Sequence, residues 1–367
     1  MAKVIGLVTA NYYVENPSEL VASRPVASMP FLGRYRLVDF ALSNMVNAGI
    51  RTVGFIMPPN YRSLIDHVGS GKDWGLDRKA GGLFVMPGSN FGTSRLGARF
   101  LVRDLVQNRQ FLERNSSADY VVLSTCNFIY NIDLKDFVES HIASGADITV
   151  LTKKATEDNP NILGFDTDTV GVTGKHMGVK FGDTAFLDLA VMKRELLLDM
   201  VDWYSAIDHK DLFCALVESG DISRVSVKTV DYDGYVAAVF DKQAYFKANM
   251  DLLNPKVLDE LSPEDRFVKT KAHDNPPAKF EPGSHVTNSL VSAGDRIYGA
   301  VVDSVLSREV VVEPGATVRS SIIMQGTVIK SGARVENAIL DRNNVVSAGT
   351  ELRGTPEDVL VRVKGRD

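Results

Sequence analysis

The feature that most constrains the fold is a short repeat in the last quarter of the chain. Segments that begin at positions 303, 320 and 337 superpose at a fixed offset of 17 residues. Each contains an aliphatic residue followed three positions later by a glycine, and these residues are Val312, Ile329 and Val346. Short apolar units with turn glycines are typical of a solenoid whose coils stack on one another. A period of 17 or 18 residues gives three six-residue sides, which predicts a left-handed parallel β-helix built from hexapeptide repeats.

The first 255 residues show the alternating strand and helix patterns of an α/β domain. Short apolar runs typical of buried strands occupy 3–9, 52–57, 119–124 and 147–152. Amphipathic helical patterns lie between them at 36–49, 99–114 and 133–145. Two of these patterns stop at a glycine, Gly49 and Gly145, as helices often do. The alternation predicts βαβ units and a mostly parallel sheet with helices on both faces.

Composition separates the two parts and excludes several functions. Prolines and charges crowd residues 256–285, which predicts a linker between domains at 1–255 and 286–367. A net charge of −5 gives no basic face for nucleic acid or a membrane. The apolar run at the start is too short to span a bilayer. Cys126 and Cys214 cannot build a disulfide framework or a metal cluster, so we expect a reducing, cytoplasmic location.

Four stretches resemble the ADP-glucose pyrophosphorylase family, also called glucose-1-phosphate adenylyltransferase. They are MPFLGRYRLVDFALSNMVNAGI at 29–50, YRSLIDHVGSGKDWGL at 61–76, YFKANMDLL at 245–253 and NSLVSAGDRI at 288–297. The resemblance implies a nucleotidyltransferase-like α/β domain followed by the β-helix. It also implies a reaction in which glucose 1-phosphate attacks the α-phosphate of ATP and releases pyrophosphate. That chemistry needs a backbone cradle for the triphosphate, a cation and carboxylates for Mg²⁺.

The sequence departs from the family's pattern at each of these parts. The glycine-rich loop is replaced by TANYYVENPSEL at 9–20, which contains no glycine, and Val26 stands at the position of the family's lysine. Asn127 and Ala238 stand where the family has its two metal-binding aspartates. The nucleotide segment reads FLVRD at 100–104, and the family's sugar-phosphate motif has no visible counterpart near 176–184. We therefore expect no catalytic residues, no metal and no cofactor in this chain.

The resemblance implies a role for such a degenerate chain. Some members of the family are regulatory subunits that join a homologous catalytic subunit in a heterotetramer, where the catalytic partner uses Mg²⁺. This sequence resembles those regulatory subunits. Asp104 and Asp241 are the acids close to the degenerate motifs, and we do not expect either to restore a metal site.

Three arginines are candidates for binding a regulatory anion. Arg24 and Arg36 match basic positions near the family's effector pocket between the two domains, and Arg308 in the first coils could complete that pocket. Such a pocket would take a sugar phosphate, phosphate or sulfate. The alternative is that these arginines pair with local carboxylates such as Asp39. Asp39 itself is expected to be a structural or capping residue.

Other functions stay open at this level. Tyr12 and Tyr13 are candidates to fill an empty nucleotide site, or they occupy ordinary surface or interface positions. The chain could be an active nucleotidyltransferase with unusual residues, or a stand-alone sensor of sugar phosphates. A hexapeptide-repeat acyltransferase is disfavoured, because such enzymes use a histidine base near the coils and no histidine follows His285.

Overall fold

The computed structural model describes residues 2–12, 19–22, 24–90 and 98–364, which form two domains. The strands of the first domain are β1 (Val4–Thr9), β2 (Pro30–Phe31), β3 (Tyr35–Arg36), β4 (Thr52–Met57), β5 (Gly82–Pro87), β6 (Tyr120–Thr125), β7 (Phe128–Ile129), β8 (Ile148–Lys154), β9 (Asn159–Thr167), β10 (Val172–Val179), β11 (Thr184–Lys193), β12 (Val227–Asp231) and β13 (Ala237–Ala238). Its helices are α1 (Leu37–Asn47), α2 (Arg62–Val68), α3 (Val102–Gln107), α4 (Arg109–Arg114), α5 (Leu134–Ser144), α6 (Arg194–Trp203), α7 (Leu212–Glu218), α8 (Lys242–Asp251) and α9 (Pro255–Leu261).

Nine of these strands form one mixed sheet around a parallel centre. The order β6-β1-β4-β5 is parallel throughout. β11 continues the sheet antiparallel to β6, and β8 and β12 follow it. A hairpin of β9 and β10 joins the first residues of β11. The four predicted buried runs are β1, β4, β6 and β8, so this part of the predicted α/β fold is confirmed.

Side chains of the central strands belong to two apolar clusters, one on each face of the sheet. Ile5 and Leu7 of β1 pack in a cluster with residues of α3, α4, α6 and α7. Val8 of the same strand packs on the other face, with residues of α1, α2 and α5. This alternation follows from the two-residue period of a strand and places helices on both faces. Gly49 after α1 and Gly145 after α5 adopt φ values of 81° and 64°, as predicted for the ends of these helices.

The amphipathic stretch at 99–114 is not one helix. α3 ends before Asn108 and α4 begins after it. The Asn108 side chain donates to the carbonyl of Asp104 at 2.8 Å and to that of Pro87 at 2.9 Å. Asparagine side chains compete in this way with the hydrogen bonds of a helix backbone. The apolar period of the sequence continues across this break, which is why the pattern predicted a single helix.

The second domain is the predicted left-handed parallel β-helix. Its strands are β14 (Lys279–Phe280), β15 (His285–Thr287), β16 (Arg296–Ile297), β17 (Ala300–Val302), β18 (Val305–Leu306), β19 (Val311–Val312), β20 (Thr317–Arg319), β21 (Ile322–Ile323), β22 (Val328–Ile329), β23 (Arg334–Glu336), β24 (Ala338–Leu340), β25 (Val345–Val346), β26 (Glu351–Arg353) and β27 (Leu360–Arg362). They form three parallel sheets, β14-β16-β19-β22-β25, β15-β17-β20-β23-β26 and β18-β21-β24-β27. Val312, Ile329 and Val346 pair in register and are fully buried, which confirms the 17-residue repeat.

The segment 256–285 contains regular structure and contacts both domains. It holds most of α9 and strand β14, whose pairing with β16 starts the first coil at Lys279. On the way, the backbone of Lys269 donates to Ser43 Oγ on α1 at 2.8 Å. A third apolar cluster joins the domains directly, since Met324 and Ile339 of the β-helix pack with Phe31 and other residues of the first domain. Among the described residues, none of the helices has the length and apolar character needed to cross a membrane.

Candidate functional site

The sheet topology locates a cleft at the carboxyl ends of β1 and β6. The chain adds β4 and β5 on one side of β1 and then returns to place β6 on the other side. In open α/β sheets, ligands bind outside the carboxyl ends of the strands at such a reversal. Asn11 and Tyr12 follow β1 at this edge, and Cys126 and Asn127 follow β6.

The two positions matched to metal-binding aspartates lie side by side in this cleft. β7 pairs antiparallel with β13, which sets Ala238 opposite Phe128. The backbone of Val239 donates to the carbonyl of Asn127 at 2.8 Å. Asn127 is fully buried, and both polar atoms of its amide have no hydrogen-bond partner among the described residues. In place of two carboxylates, the pair presents an amide and a methyl group.

The nearby acids serve as structural acceptors. Asp104 accepts hydrogen bonds from the backbone and hydroxyl of Ser89, at 2.7 and 2.6 Å, and from Asn11 Nδ2 at 2.6 Å. Burial raises the pKa of Asp104, opposed by these hydrogen bonds. Asp241 caps α8 by accepting from the backbone of Ala244 at 2.8 Å. Within the described ranges no three His, Cys, Asp or Glu side chains are grouped so that they could hold a metal ion.

Arg99 enters the cleft between two aromatic rings, a feature that the sequence patterns did not reveal. Its guanidinium carbon lies 5.6 Å from the ring centre of Tyr12 and 4.8 Å from that of Phe240. Nε lies 3.6 Å from Asp188 Oδ2, and Nη2 donates to the carbonyl of Asn161 at 3.0 Å. Long-range contacts that no local motif encodes bring Tyr12 and Arg99 together here.

Part of the predicted nucleotide loop cannot be placed against this cleft. Tyr13 and Val14, which follow Tyr12 in that loop, lie outside the described residues, as does Ser23 next to Arg24. The expectation that Tyr13 fills the nucleotide site therefore stays a prediction, whereas Tyr12 is found in the cleft itself.

A small cavity of about 150 Å³ adjoins the degenerate pair and is lined in part by Phe128 and Ala238. Three lysines lie in its wall, and each has a partner within the protein. Lys153 Nζ donates to the carbonyl of Gly234 at 2.7 Å, Lys154 Nζ donates to a threonine hydroxyl at 2.9 Å, and Lys247 pairs with a glutamate at 3.1 Å. These positive groups beside the cleft are therefore already neutralised or hydrogen bonded.

Val26, at the position of the family's lysine, begins a 3₁₀ turn over Val26–Ser28. Its side chain is half-buried and packs against a cluster of the first domain and against the cluster that joins the two domains. A cation is absent from this position by sequence, and the apolar surroundings suit the valine. The turn leads directly into Met29 and β2, at the start of the most family-like block.

The three predicted effector residues come together between the domains, joined by a fourth arginine. We define the arginine cluster as Arg24, Arg36, Arg308 and Arg342. Burial lowers the pKa of Arg36 to about 10, and repulsion from Arg342, Arg24 and Arg308 adds to this effect, partly offset by Asp39. Only guanidinium groups that lie close together repel one another in this way.

The hydrogen-bond partners of the arginine cluster do not satisfy all of its N–H groups within the described part of the chain. Arg24 Nη2 pairs with Asp341 Oδ2 at 2.9 Å, and Arg36 Nη1 donates to the carbonyl of Ser63 at 2.6 Å. Arg308 Nη2 contacts the Gln325 side chain at 3.5 Å. Buried Nε–H groups without an acceptor among the described residues belong to Arg24, Arg308 and Arg342. Asp341 also lies 3.9 Å from Arg342 Nε, and Asp39 and Glu309 act on Arg36 and Arg308. Among the described residues, the four guanidinium groups therefore outnumber the carboxylates that act on them, which favours the approach of an anion.

Two residues at this place were not predicted from the sequence: Arg342, a member of the cluster, and His273 beside it. His273 in the connecting segment has a pKa lowered by burial, then by Arg308, Lys271, His67 and Arg36. Arg342 carried a signal that could have found it, because positions 308, 325 and 342 are separated by 17 residues each and so occupy the same place in successive coils. The column Arg308–Gln325–Arg342 therefore runs along the β-helix, and both of its arginines lie close enough to Arg36 of the first domain to repel it.

Asp39 is a cap, as predicted. Its carboxylate accepts from the backbone of Arg36 at 2.9 Å at the start of α1. The other oxygen lies 2.6 Å from His67 Nε2, and His67 packs against the buried ring of Trp74 with ring centres 5.8 Å apart. Asp39 therefore holds α1, α2 and the Trp74 turn together beside the arginine cluster.

Comparison with known proteins matches both domains. The nucleotidyl transferase family matches residues 19–165, and the GlmU-like C-terminal hexapeptide family matches residues 276–358. The glycogen biosynthesis protein GlgD of Bacillus subtilis (strain 168) is 32% identical over 99% of this chain and 96% of its own length. GlgD of Geobacillus stearothermophilus is 32% identical over 86% and 83%. The glucose-1-phosphate adenylyltransferase of Thermotoga neapolitana is 30% identical over 87% and 77%.

Proposed function

The chain belongs to the family of glucose-1-phosphate adenylyltransferases and GlgD proteins, and we propose that it serves glycogen biosynthesis as a regulatory subunit without catalytic activity. In this proposal it joins a homologous catalytic subunit in a heterotetramer, in which the partner holds Mg²⁺ and converts ATP and glucose 1-phosphate into ADP-glucose and pyrophosphate. This chain then raises the activity of its partner or changes the response of the complex to effectors.

The observation that carries the proposal is the pairing of β7 with β13, which brings Asn127 and Ala238 together. Mg²⁺ is a hard cation that binds through carboxylates and phosphates and demands octahedral oxygen ligands. At this edge an amide and a methyl group replace the two charges that the family would use. Transfer of an adenylyl group concentrates negative charge on phosphate oxygens, and the cations in the described part of the cleft already have partners within the protein.

The regulatory half of the proposal rests on the arginine cluster. We propose that Arg24, Arg36 and Arg308, with Arg342, bind a sugar phosphate, phosphate or sulfate. Guanidinium groups bind such oxyanions through paired hydrogen bonds, and three Nε–H groups here are buried without an acceptor in the described part of the chain. Because the cluster draws residues from both domains, an anion bound there would stabilise one arrangement of the domains over others.

The first experiment compares three samples: this chain alone, a catalytic homologue alone, and the two proteins co-expressed. With ATP, glucose 1-phosphate and Mg²⁺, we expect no turnover by this chain alone, a complex on sizing and an altered maximal rate or substrate affinity. Robust turnover by the chain alone would instead make it an active nucleotidyltransferase with unusual residues. No complex and unchanged kinetics would refute the regulatory role.

A second experiment separates the regulatory subunit from a stand-alone sensor. Phosphate, sulfate and a sugar bisphosphate are titrated against the chain alone and against the complex while activity is followed. The regulatory role predicts that anion binding changes the activity of the complex and that the double variant R308Q/R342Q loses this response. Arg319→Gln, in β20 and outside the column of turn residues that holds Arg308 and Arg342, is the matched control. Anion binding with no effect on any complex would favour the sensor.

A further inference from the structure

The cleft at the carboxyl ends of β1 and β6 is filled by the protein's own side chains. Tyr12 is 8% exposed, Arg99 is 6% exposed and Phe240 is 3% exposed. They come from three separate parts of the chain, after β1, before α3 and after β13. A group that fills the reversal point of an open α/β sheet occupies the place where this architecture binds its ligand.

Arg99 is not an ordinary core residue. Arginine is almost never buried unless it is paired, and its charge is costly to remove from water. Here its guanidinium lies over the rings of Tyr12 and Phe240, at 5.6 and 4.8 Å, which is the range in which an aromatic ring attracts a cation. The carboxyl group of Asp188 lies 3.6 Å from Nε and, when ionised, balances the charge of the guanidinium. The two rings and the carboxylate thus form a site for a planar cation.

The backbone around this site is arranged to hold it. Asp188 lies inside β11 with a φ of 53°, a left-handed conformation that is costly for a residue with a side chain. The register of β11 against β8 is interrupted at this point. Thr125 Oγ1 at the end of β6 donates to Asp188 Oδ2 at 3.0 Å. On the other side, Asp211 accepts from the backbone N–H groups of Arg99 and Phe100, at 3.0 and 2.8 Å, and so fixes where the arginine enters.

We propose that Arg99, over the rings of Tyr12 and Phe240, is a built-in occupant of the cleft that takes the place of a metal-bound nucleotide. The cation is supplied by the chain itself, and the two rings cover the space beside it. The cleft is therefore closed and stable without ligand, and Mg²⁺-ATP does not enter it. Closure of this cleft does not depend on whether the chain regulates a partner.

Cys126 provides a direct reporter of this closure. It follows β6, is fully buried and belongs to the same apolar cluster as Tyr12. Burial raises the pKa of its thiol, so it reacts slowly while the cleft is closed. The other cysteine, Cys214, is changed to serine so that one thiol is measured. In this C214S background we follow the reaction of Cys126 with an aromatic disulfide reagent at constant pH.

Loosening the contacts of Arg99 with the two rings is expected to expose Cys126. We expect Arg99→Met, which keeps the length of the stem and removes the charge, to accelerate the reaction at least tenfold, and Tyr12→Ala to do the same. The matched control is Arg103→Met, because Arg103 pairs with Asp208 on the surface nearby at 2.7 Å and should leave the rate unchanged. Circular dichroism and a thermal melt confirm that each variant is folded at the assay temperature.

Two results would overturn the proposal. If Tyr12→Ala accelerates the reaction of Cys126 but Arg99→Met reacts as slowly as the parent, the charge of Arg99 does not keep the cleft closed. Calorimetric titration of the unmodified chain with Mg²⁺-ATP needs no variant, and binding with a Kd below about 1 mM would mean that the cleft is open to nucleotide. Neither result would affect activation of a catalytic partner, which is measured separately in the co-expressed complex.

Discussion

The guanidinium of Arg24 and the carboxylate of Asp341 meet at 2.9 Å across the boundary between the two domains. Their side chains are 2% and 5% exposed, so the pair is cut off from water. Arg24 belongs to the segment before α1, and Asp341 follows β24 of the β-helix. The contact makes Arg24 both a member of the arginine cluster and a structural link between domains.

We expect Asp341→Asn to destabilise the protein by about 3–5 kcal/mol, because it leaves the buried charge of Arg24 without its counterion. Chemical denaturation with urea, monitored by tryptophan fluorescence, measures the change. Lys242→Gln is the control, since Lys242 pairs with Asp358 at 2.7 Å but both side chains are substantially exposed, and it should cost less than about 1 kcal/mol. Equal costs for the two variants would contradict a structural role for the Arg24–Asp341 pair.

Anion binding should depend on both ends of the arginine column in the β-helix. Sulfate at about 10 mM is expected to raise the melting temperature of the parent chain, and R308Q/R342Q should lose most of this rise. The reason is that the variant removes two of the four cations while leaving the apolar contacts of the coils in place. Sodium chloride at matched ionic strength controls for general screening. A sulfate effect that persists in the double variant would place the anion elsewhere.

Gly33 is expected to be intolerant of any side chain. It has a φ of 72°, and a Cβ atom there would clash with Ser292 Oγ and would lie 2.7 Å from the Leu306 carbonyl, both in the β-helix. Gly49 has a similar φ of 81° but open space around it, so it isolates the cost of the backbone conformation. We expect Gly33→Ala to cost at least about 1 kcal/mol more than Gly49→Ala in urea denaturation. Similar costs would show that the domains do not press together at Gly33.

The pH dependence of stability should report Asp188. Burial raises the pKa of this carboxyl to about 7, with Arg99 and Thr125 opposing the rise. A carboxyl whose pKa is higher in the folded than in the unfolded state stabilises the folded protein when it is protonated. Its contribution to the free energy of unfolding is complete below about pH 4 and is lost as the pH rises towards 7. Asp188→Asn, which cannot ionise, should therefore be less stable relative to the parent at about pH 4.5 than at about pH 8.

Asp208 offers a control of opposite sign. A hydrogen bond from Arg103 holds the pKa of Asp208 below its usual range, so its contribution is present at neutral pH and is lost on acidification. Asp208→Asn should accordingly cost more at about pH 8 than at low pH. Urea denaturation at about pH 4.5, 6 and 8 measures both variants. Slopes of the same sign for the two variants would contradict the raised pKa of Asp188.

Restoring carboxylates at the degenerate pair should create a response to Mg²⁺. Asn127→Asp together with Ala238→Asp places two acids on paired strands, where they repel and lower stability by a few kcal/mol until a divalent cation binds between them. We expect about 5 mM MgCl₂ to raise the melting temperature of the double variant by several degrees relative to EDTA, and to leave each single variant and the parent unchanged. No response in a folded double variant would show that Ala238 does not occupy the metal position.

Local patterns in the sequence were enough for four buried strands of the first domain and for the β-helix. The spacing of Val312, Ile329 and Val346 encodes the coil itself, because each residue contacts its own equivalent one turn away. Asn127 and Ala238 were matched to the family's metal positions because they lie in recognisable motifs, and that match stays a prediction. Arg99 and Phe240 could not be assigned to the cleft in this way, since they meet Tyr12 only after the whole sheet has formed.

Two details of the structure were not predicted from the sequence, for different reasons. The helix predicted over 99–114 is interrupted because the Asn108 side chain bonds to Pro87, which is 21 residues away and invisible to a helical pattern. Arg342 was not among the predicted effector residues, although its spacing of 17 residues from Gln325 and 34 from Arg308 places it in the same column. A period that predicts which residues are buried also predicts which polar residues form a column.

In the column Arg308–Gln325–Arg342, the number of coils sets the distance between the two arginines. Adjacent strands of a sheet lie about 4.8 Å apart, so the backbones of the two arginines are separated by two coils, or roughly 10 Å. Gain or loss of one coil between them would change this separation in a single discrete step, without altering the coil structure on either side. Related chains with more or fewer coils between the two arginines would therefore suit anions of different length. Point substitutions in a globular pocket do not offer this kind of variation.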